Sequence, residues 1–275
     1  MIKTSLTGVM AASRDLSVIS NNLANSMTTG FKRSTAQFTD IGASSVAARE
    51  GSQAGNGALT QDVRRSTEQG PLTATDAKLD VAILGSGYLT FGEAGVPTGQ
   101  DMSMTYSRAG KLTLNKSGQV VDSSGAPLMG FPVITGGMVG GQIQPINLTS
   151  VAGGNLANVQ GVEIDSKGVM TVQLANGRSV KAGAVALATF RNENGLKSVG
   201  GAKLRETDAS GPPEMQAASR NGTGEIKQGV LEGANVDLTA ELMRMVQAQQ
   251  AYNGNARALQ TNSEMLRSSI ETLLR

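Results

Sequence analysis

From Asp237 to the C-terminus, apolar or small residues return in alternating steps of four and three: Leu238, Leu242, Met245, Gln249, Tyr252, Ala256, Leu259, Ser263, Leu266, Ile270 and Leu273. This spacing is a heptad seam, interrupted by Gln249 and Ser263, with no Pro and with Gly254 as its one weak helix former. At about 1.5 Å per residue, a helix from Leu238 to Leu273 runs on the order of 50 Å. No small globular domain buries such a rod, so the fold must supply it with a partner along its length. Asp237 is a suitable N-cap, and Glu241 stands close enough to favour the positive end of the helix dipole.

The other end of the chain carries a matching pattern. Val9, Ala12, Leu16, Ile19 and Leu23 step by three and four along one face, opposite Ser13, Arg14, Ser17 and Asn21. Neither stretch has enough large apolar residues to be stable alone, so each needs the other, or a copy of itself. Between them the texture changes. Residues 28–70 are polar and rich in Gly, Ser and Ala, and read as a connector with little regular structure beyond a candidate strand at 58–64. From Leu79 onward short strands are punctuated by turns such as Gly85-Ser86-Gly87, Lys116-Ser117-Gly118, Ser166-Lys167-Gly168 and Asn176-Gly177. That rhythm predicts an antiparallel β domain built of hairpins. The expected fold is α+β: an N-terminal helix over 1–27, a connector over 28–70, an inserted antiparallel β domain over 71–234 with room for a minimal outer subdomain within 146–205, and a C-terminal helix over 235–275. The two terminal helices pair as a coiled-coil-like layer.

Composition removes most chemistry. The chain of 275 residues has no Cys, His or Trp, which excludes thiol nucleophiles, disulfides, zinc fingers and His-based triads. A net charge of +2 and a charged fraction of 17% leave no concentrated basic field for nucleic acid. No apolar run is long enough to cross a membrane, and Arg14 and Asp15 interrupt the N-terminal stretch where a cleaved signal peptide needs an apolar core. Gly85-Ser86-Gly87, Gly136-Gly137 and Gly140-Gly141 lie outside any phosphate-binding frame and read as turns. The carboxylate pairs Asp76/Asp80 and Glu163/Asp165 lack an aromatic platform for sugar and read as solvent-facing. Lys32-Arg33 and Arg64-Arg65 read as a solvated face or ionic contacts. Met243, Met245 and Met265, on the long C-terminal stretch, suit either core filling or a subunit interface that repacks. No catalytic residue, cofactor or metal is expected. A secreted oligomeric adhesin is a rival reading, but with Phe 5, Tyr 3 and Trp 0 the chain is poor in groups to grip a ligand.

The run Ser20-Asn21-Asn22-Leu23-Ala24-Asn25, followed by Thr28-Thr29-Gly30-Phe31-Lys32, resembles the N-terminal signature of the bacterial flagellar rod and hook axial proteins. The C-terminal stretch from Asn235, with Val236, Glu241, Leu242, Met245, Gln249, Ala251, Tyr252 and Asn255, is similar to that family's C-terminal signature, and the β segments follow in the family's order. The resemblance implies a structural subunit exported without a cleaved signal peptide through the flagellar export apparatus. It further implies polymerisation into a hollow helical tube in the hook or basal body, with paired terminal helices lining the channel. Its partners would be copies of itself and neighbouring axial proteins: rod, hook cap and hook–filament junction. Within the family, the 252–256 run and the connector look most like the hook protein, whereas the length favours a rod protein. The expectation is a hook-type protein, with a distal or proximal rod protein as the alternative. The seam from Leu238 to Leu273, packed on Val9 to Leu23, would drive assembly, and residues 32–70 would lock neighbouring subunits.

Overall fold

The computed structural model describes residues 2–41, 56–93, 103–133, 141–149, 159–220 and 222–273. The chain divides into two compact units: residues 1–26, 32–66 and 236–275 form one, and residues 27–31 and 67–235 the other.

The first unit contains both terminal helices, α1 (Ile2–Ala24) and α2 (Leu238–Leu273, 36 residues). Asp237 caps α2 as its residue type predicts. Its carboxylate accepts the N–H groups of Thr239 at 2.9 Å and Ala240 at 3.1 Å, and its carbonyl accepts that of Glu241. The helices pack against each other in antiparallel sense. Asn22 lies against Glu241, Gly8 lies against Asn255, and Ile2 shares a groove with Met265 and Leu266.

The strand expected at 58–64 forms as β2 (Ala58–Arg65), and the connector, otherwise expected to have little regular structure, supplies it with an antiparallel partner, β1 (Ser34–Asp40), in a hairpin belonging to the helical unit. Alternation is weak because only Ala36 is buried, so the sequence pattern of β1 was silent. Its anchors are polar. Asn22 grips Ser34 at the start of β1, and Thr7 Oγ1 accepts the Ala58 N–H at the start of β2. From Asn22 back to Thr7 the helix rises about 22 Å, and β1 spans about 20 Å at the rise of a strand. Ribbon and helix are thus matched in length.

The second unit is β, and every paired strand in it is antiparallel. Its spine is the 11-residue strand Ser179–Thr189. One half pairs with Val169–Leu174, which in turn pairs with Val159–Ile164; the other half pairs with Tyr88–Phe91 and Glu214–Ala217. Because this strand joins both regions, residues 146–205 supply strands to the common sheet and make no separate outer subdomain among the described residues. The hairpin expected around Gly85-Ser86-Gly87 does not form either. Val81–Leu84 pairs with Glu225–Gln228, and Tyr88–Phe91 with Thr105–Ser107, so the glycines, with φ of +108° and +123°, carry the chain from one sheet to another.

The main core centres on Ile83, Leu89, Phe91, Leu128, Met170 and Leu187, all at most 1% exposed. A smaller one gathers Tyr88, Tyr106 and Phe190, whose rings meet edge to face, with centroids 4.8 Å apart for Tyr106 and Phe190. Each tyrosine hydroxyl donates to a carboxylate, Tyr88 to Glu193 and Tyr106 to Glu206. Burial and that neighbouring carboxylate raise the Tyr106 hydroxyl far above its usual range. One buried ion pair ties this unit: Glu232 Oε2 meets Arg108 Nη1 at 3.4 Å, while Glu232 Oε1 accepts the Gly70 N–H and Arg108 donates to the Gly85 carbonyl.

Candidate functional site

Neither carboxylate pair forms a reaction centre. Asp80 is buried and accepts from Thr75 Oγ1 at 2.8 Å, a turn-stabilising role, whereas Asp76, Glu163 and Asp165 are exposed. Among the described residues no three His, Cys, Asp or Glu side chains cluster as a metal site would require, and no helix is long and apolar enough to cross a membrane. Gly136, Gly137 and Gly140 lie outside the described residues. The candidate site is therefore the helical unit itself, built around the two terminal motifs.

Asn22, buried at 1% exposure, is its centre. Its side-chain amide imitates a strand partner, donating Nδ2–H to the Ser34 carbonyl at 2.7 Å and accepting the Ser34 N–H on Oδ1 at 2.9 Å. The remaining Nδ2–H donates to Glu241 Oε2 at 3.3 Å. One amide thus joins α1, the start of β1 and α2. Glu241 is fully buried and also faces Arg33 Nη1 at 3.6 Å and Arg244 Nη1 at 3.7 Å, distances beyond hydrogen bonding for its Oε1. Asp15, on α1, completes the cluster. Burial raises its carboxyl above the usual range, Arg244 partly offsets that, and Glu241 adds to it.

Residues 27–31 of the same motif belong to the β unit. Gly30 is buried with φ of +71°, and a Cβ there would stand 2.4 Å from the Ala109 nitrogen, so no other residue fits without displacing backbone. Its N–H donates to the Glu232 carbonyl at 2.8 Å, and the Phe31 carbonyl accepts from the Asn235 N–H. Thr29 and Phe31 are half-buried and Lys32 is buried. Asn21, Ala24 and Asn25 shape the end of α1, where Asn25 donates from backbone and side chain to the Asn21 carbonyl.

The seam differs from expectation on α2. On α1, Ala12 and Ile19 are buried and Val9, Leu16 and Leu23 half-buried. On α2, Met245 and Leu259 are half-buried, but Leu238, Leu242, Tyr252, Leu266 and Ile270 are 50%, 45%, 38%, 51% and 56% exposed, and Leu273 is the helix's last residue. The row turned inward is Glu241, Ala248, Asn255 and Asn262, a heptad repeat one residue earlier than Leu242, Gln249, Ala256 and Ser263. Small and amide side chains let the helices approach closely: a Cβ on Gly8 would stand 2.7 Å from the Asn255 side chain. Hydrophobic periodicity does not register such a row. Leu238, Leu242, Val246, Leu266 and Ile270 are left facing outward.

The two ends of the chain thus close one helical unit and leave apolar side chains of α2 exposed on its outside. Residues 2–32 match the family described as flagella basal body rod protein, residues 82–172 the flagellar hook protein FlgE/F/G D1 domain, and residues 227–272 the flagellar basal body rod FlgEFG protein C-terminal. The chain is 35% identical to the flagellar basal-body rod protein FlgG of Buchnera aphidicola subsp. Acyrthosiphon pisum across 95% of both chains. It is 33% identical to the FlgG rod protein of Caulobacter vibrioides, across 98% of this chain and 97% of that one. With the hook protein FlgE of the same organism it shares 36% identity over 45% of its own length and 20% of the hook protein's. The chain belongs to the flagellar rod and hook protein family, and it is a structural protein of the flagellar axis rather than an enzyme.

Proposed function

We propose that this chain is a rod subunit of the flagellar basal body, assembling with copies of itself and joining neighbouring axial proteins into a hollow helical tube. The observation that carries the reading is the end-to-end similarity to rod proteins, 95% of this chain and 95% of the relative, against partial similarity to a hook protein. The hook-type expectation gives way on that ground. The 252–256 wording lies in a segment whose family description spans FlgE, FlgF and FlgG and so favours neither class, whereas coverage over the whole length supports the rod reading.

Assembly runs through the helical unit. The pair α1 and α2 acts as a coiled-coil-like layer, and the outward apolar residues of α2 meet other subunits, removing from water surface that the single chain leaves exposed. The hairpin β1–β2 braces that layer and sets its stiffness, and the subunit reaches its place through the flagellar export apparatus without a cleaved signal peptide.

Electron microscopy of basal bodies from cells lacking this chain tests the assignment. A rod subunit predicts shortened rods that carry no hook. Complete rods ending bare, without a hook, would return the protein to the hook class.

A further inference from the structure

The 10-stranded sheet of the β unit is built entirely from residues 88–217. Two earlier pieces of the same unit, residues 27–31 and 67–84, lie outside it. Leu72–Ala74 pairs with Val230–Glu232 and Val81–Leu84 with Glu225–Gln228, each as a two-stranded ladder with no third strand among the described residues. The hydrogen bonds converge on Glu232, which is fully buried. Its carbonyl accepts the Gly30 N–H at 2.8 Å and its Oε1 the Gly70 N–H at 2.9 Å, while Oε2 pairs with Arg108. Asn235 continues the pattern, its N–H donating to the Phe31 carbonyl and its Nδ2 to the Glu68 carbonyl. Upstream, Ile226 enters the main core at 2% exposure, and the Gln228 amide takes the outer edge of Val159–Ile164, donating to the Val162 carbonyl at 2.9 Å and accepting the Ile164 N–H at 3.2 Å. One short segment, residues 225–235, therefore joins the sheet to both outlying pieces.

We propose that residues 225–235 are a closing strap: the sheet forms first, and residues 27–31 and 67–84 dock only when the strap arrives. Two physical grounds order the steps. The sheet contains hairpins such as 159–174 and 197–205 that close short loops, whereas Glu232 meets Gly70 across 162 residues and Arg108 across 124, at a larger loop-closure cost. The buried Glu232 carboxylate is also stable only with Arg108 and the Gly70 N–H in place, so strap and outlying pieces dock together. A chain delivered N-terminus first presents the strap after every other part of the β unit. For a subunit that is exported, a reading on which this consequence rests, the β unit stays open until nearly all of it has passed.

Pulse-labelled hydrogen exchange during refolding of the full-length chain, read by mass spectrometry of its peptides, tests the order without any substitution. Protection is expected first in Val169–Leu174 and Ser179–Thr189, then in residues 27–31, 67–84 and 225–235 together, in one slower phase. Protection of 67–84 ahead of 225–235, or in the same phase as the sheet, would overturn the strap. In the native full-length chain, Glu232→Gln leaves the Arg108 charge without its buried partner. It is expected to speed exchange at Gly30, Gly70 and residues 81–84 together by at least about tenfold, with Ser179–Thr189 unchanged. Acceleration confined to 225–235, or spread evenly over the β unit, would overturn the proposal. Ile226→Val, a milder change in the same segment, repeats the measurement if Glu232→Gln does not fold. Both measurements use the isolated chain, so they judge the strap independently of the rod and export readings.

Discussion

At the scale of single residues, the asparagine of the N-terminal motif matters because an amide can replace a strand partner. Replacing Asn22 with Ala leaves the Ser34 N–H and C=O unpaired and removes the hydrogen bond to buried Glu241. It is expected to lower the stability of the helical unit by about 2–3 kcal/mol, read as a shifted urea midpoint in the helical circular dichroism signal. Asp15 works in the other direction. Its folded-state pKa is raised, so the unfolded chain holds the charge more easily, and ionisation weakens the fold as pH rises through the raised value. Asp15→Asn is therefore expected to stabilise the helical unit at neutral pH, with the advantage fading below the ordinary carboxylate range; a lower midpoint at neutral pH would contradict this. In the β unit, burial alone would push Asp122 up, but hydrogen bonds from Lys203, Ser124 and the Ala126 N–H outweigh it and hold the carboxyl below its usual range. The resulting stability is present above the unfolded-state pKa and lost as pH falls through the folded one. Asp122→Asn is expected to weaken the β unit at neutral pH, with the gap to wild type closing in acid denaturation series.

At the scale of elements, the two terminal helices were legible because a long run without Pro, opened by Asp237, has few alternatives to a helix. The face that α2 buries was not legible. Glu241, Ala248, Asn255 and Asn262 are small or polar, and their inward position depends on Gly8, Asn22 and Arg33, which lie far away in sequence. Strand β1 was hidden for a related reason: its anchor is one side chain on α1 rather than an alternating apolar face. In the β unit, turns with their own side-chain hydrogen bonds were readable, such as Asp122 with Ser124 or Asn115 with Ser117. Pairing partners were not, because Val81–Leu84 finds its neighbour at Glu225–Gln228. Deleting residues 256–275 removes half of α2 and none of the β unit's core. The truncated chain is expected to stay soluble with its β signal intact and to form no sedimentable polymer. Tubes from that chain would remove α2 from the assembly mechanism.

At the scale of the whole molecule, the large buried side chains are concentrated in one unit. The β unit encloses two cores, whereas among the described residues of the helical unit the buried apolar side chains are Ala12, Val18, Ile19, Ala36 and Ala248. Burial of about 25 cal/mol per Å² makes that a large difference in stability. Two unfolding steps are expected in calorimetry, the helical unit first, and helix content measured by circular dichroism is expected to rise on assembly. One cooperative transition and unchanged helicity would argue against it. The sequence by itself determined the helical ends, the β middle and the lack of thiol and imidazole chemistry, because periodicity, capping and composition act locally. Tertiary structure alone decided which face of α2 turns inward, that β1–β2 belongs with the helices, and that the strands described within 159–205 join one sheet. Those outcomes depend on hydrogen bonds and close approaches between residues distant in the chain, where an amide, a glycine or a buried carboxylate counts for more than hydrophobicity.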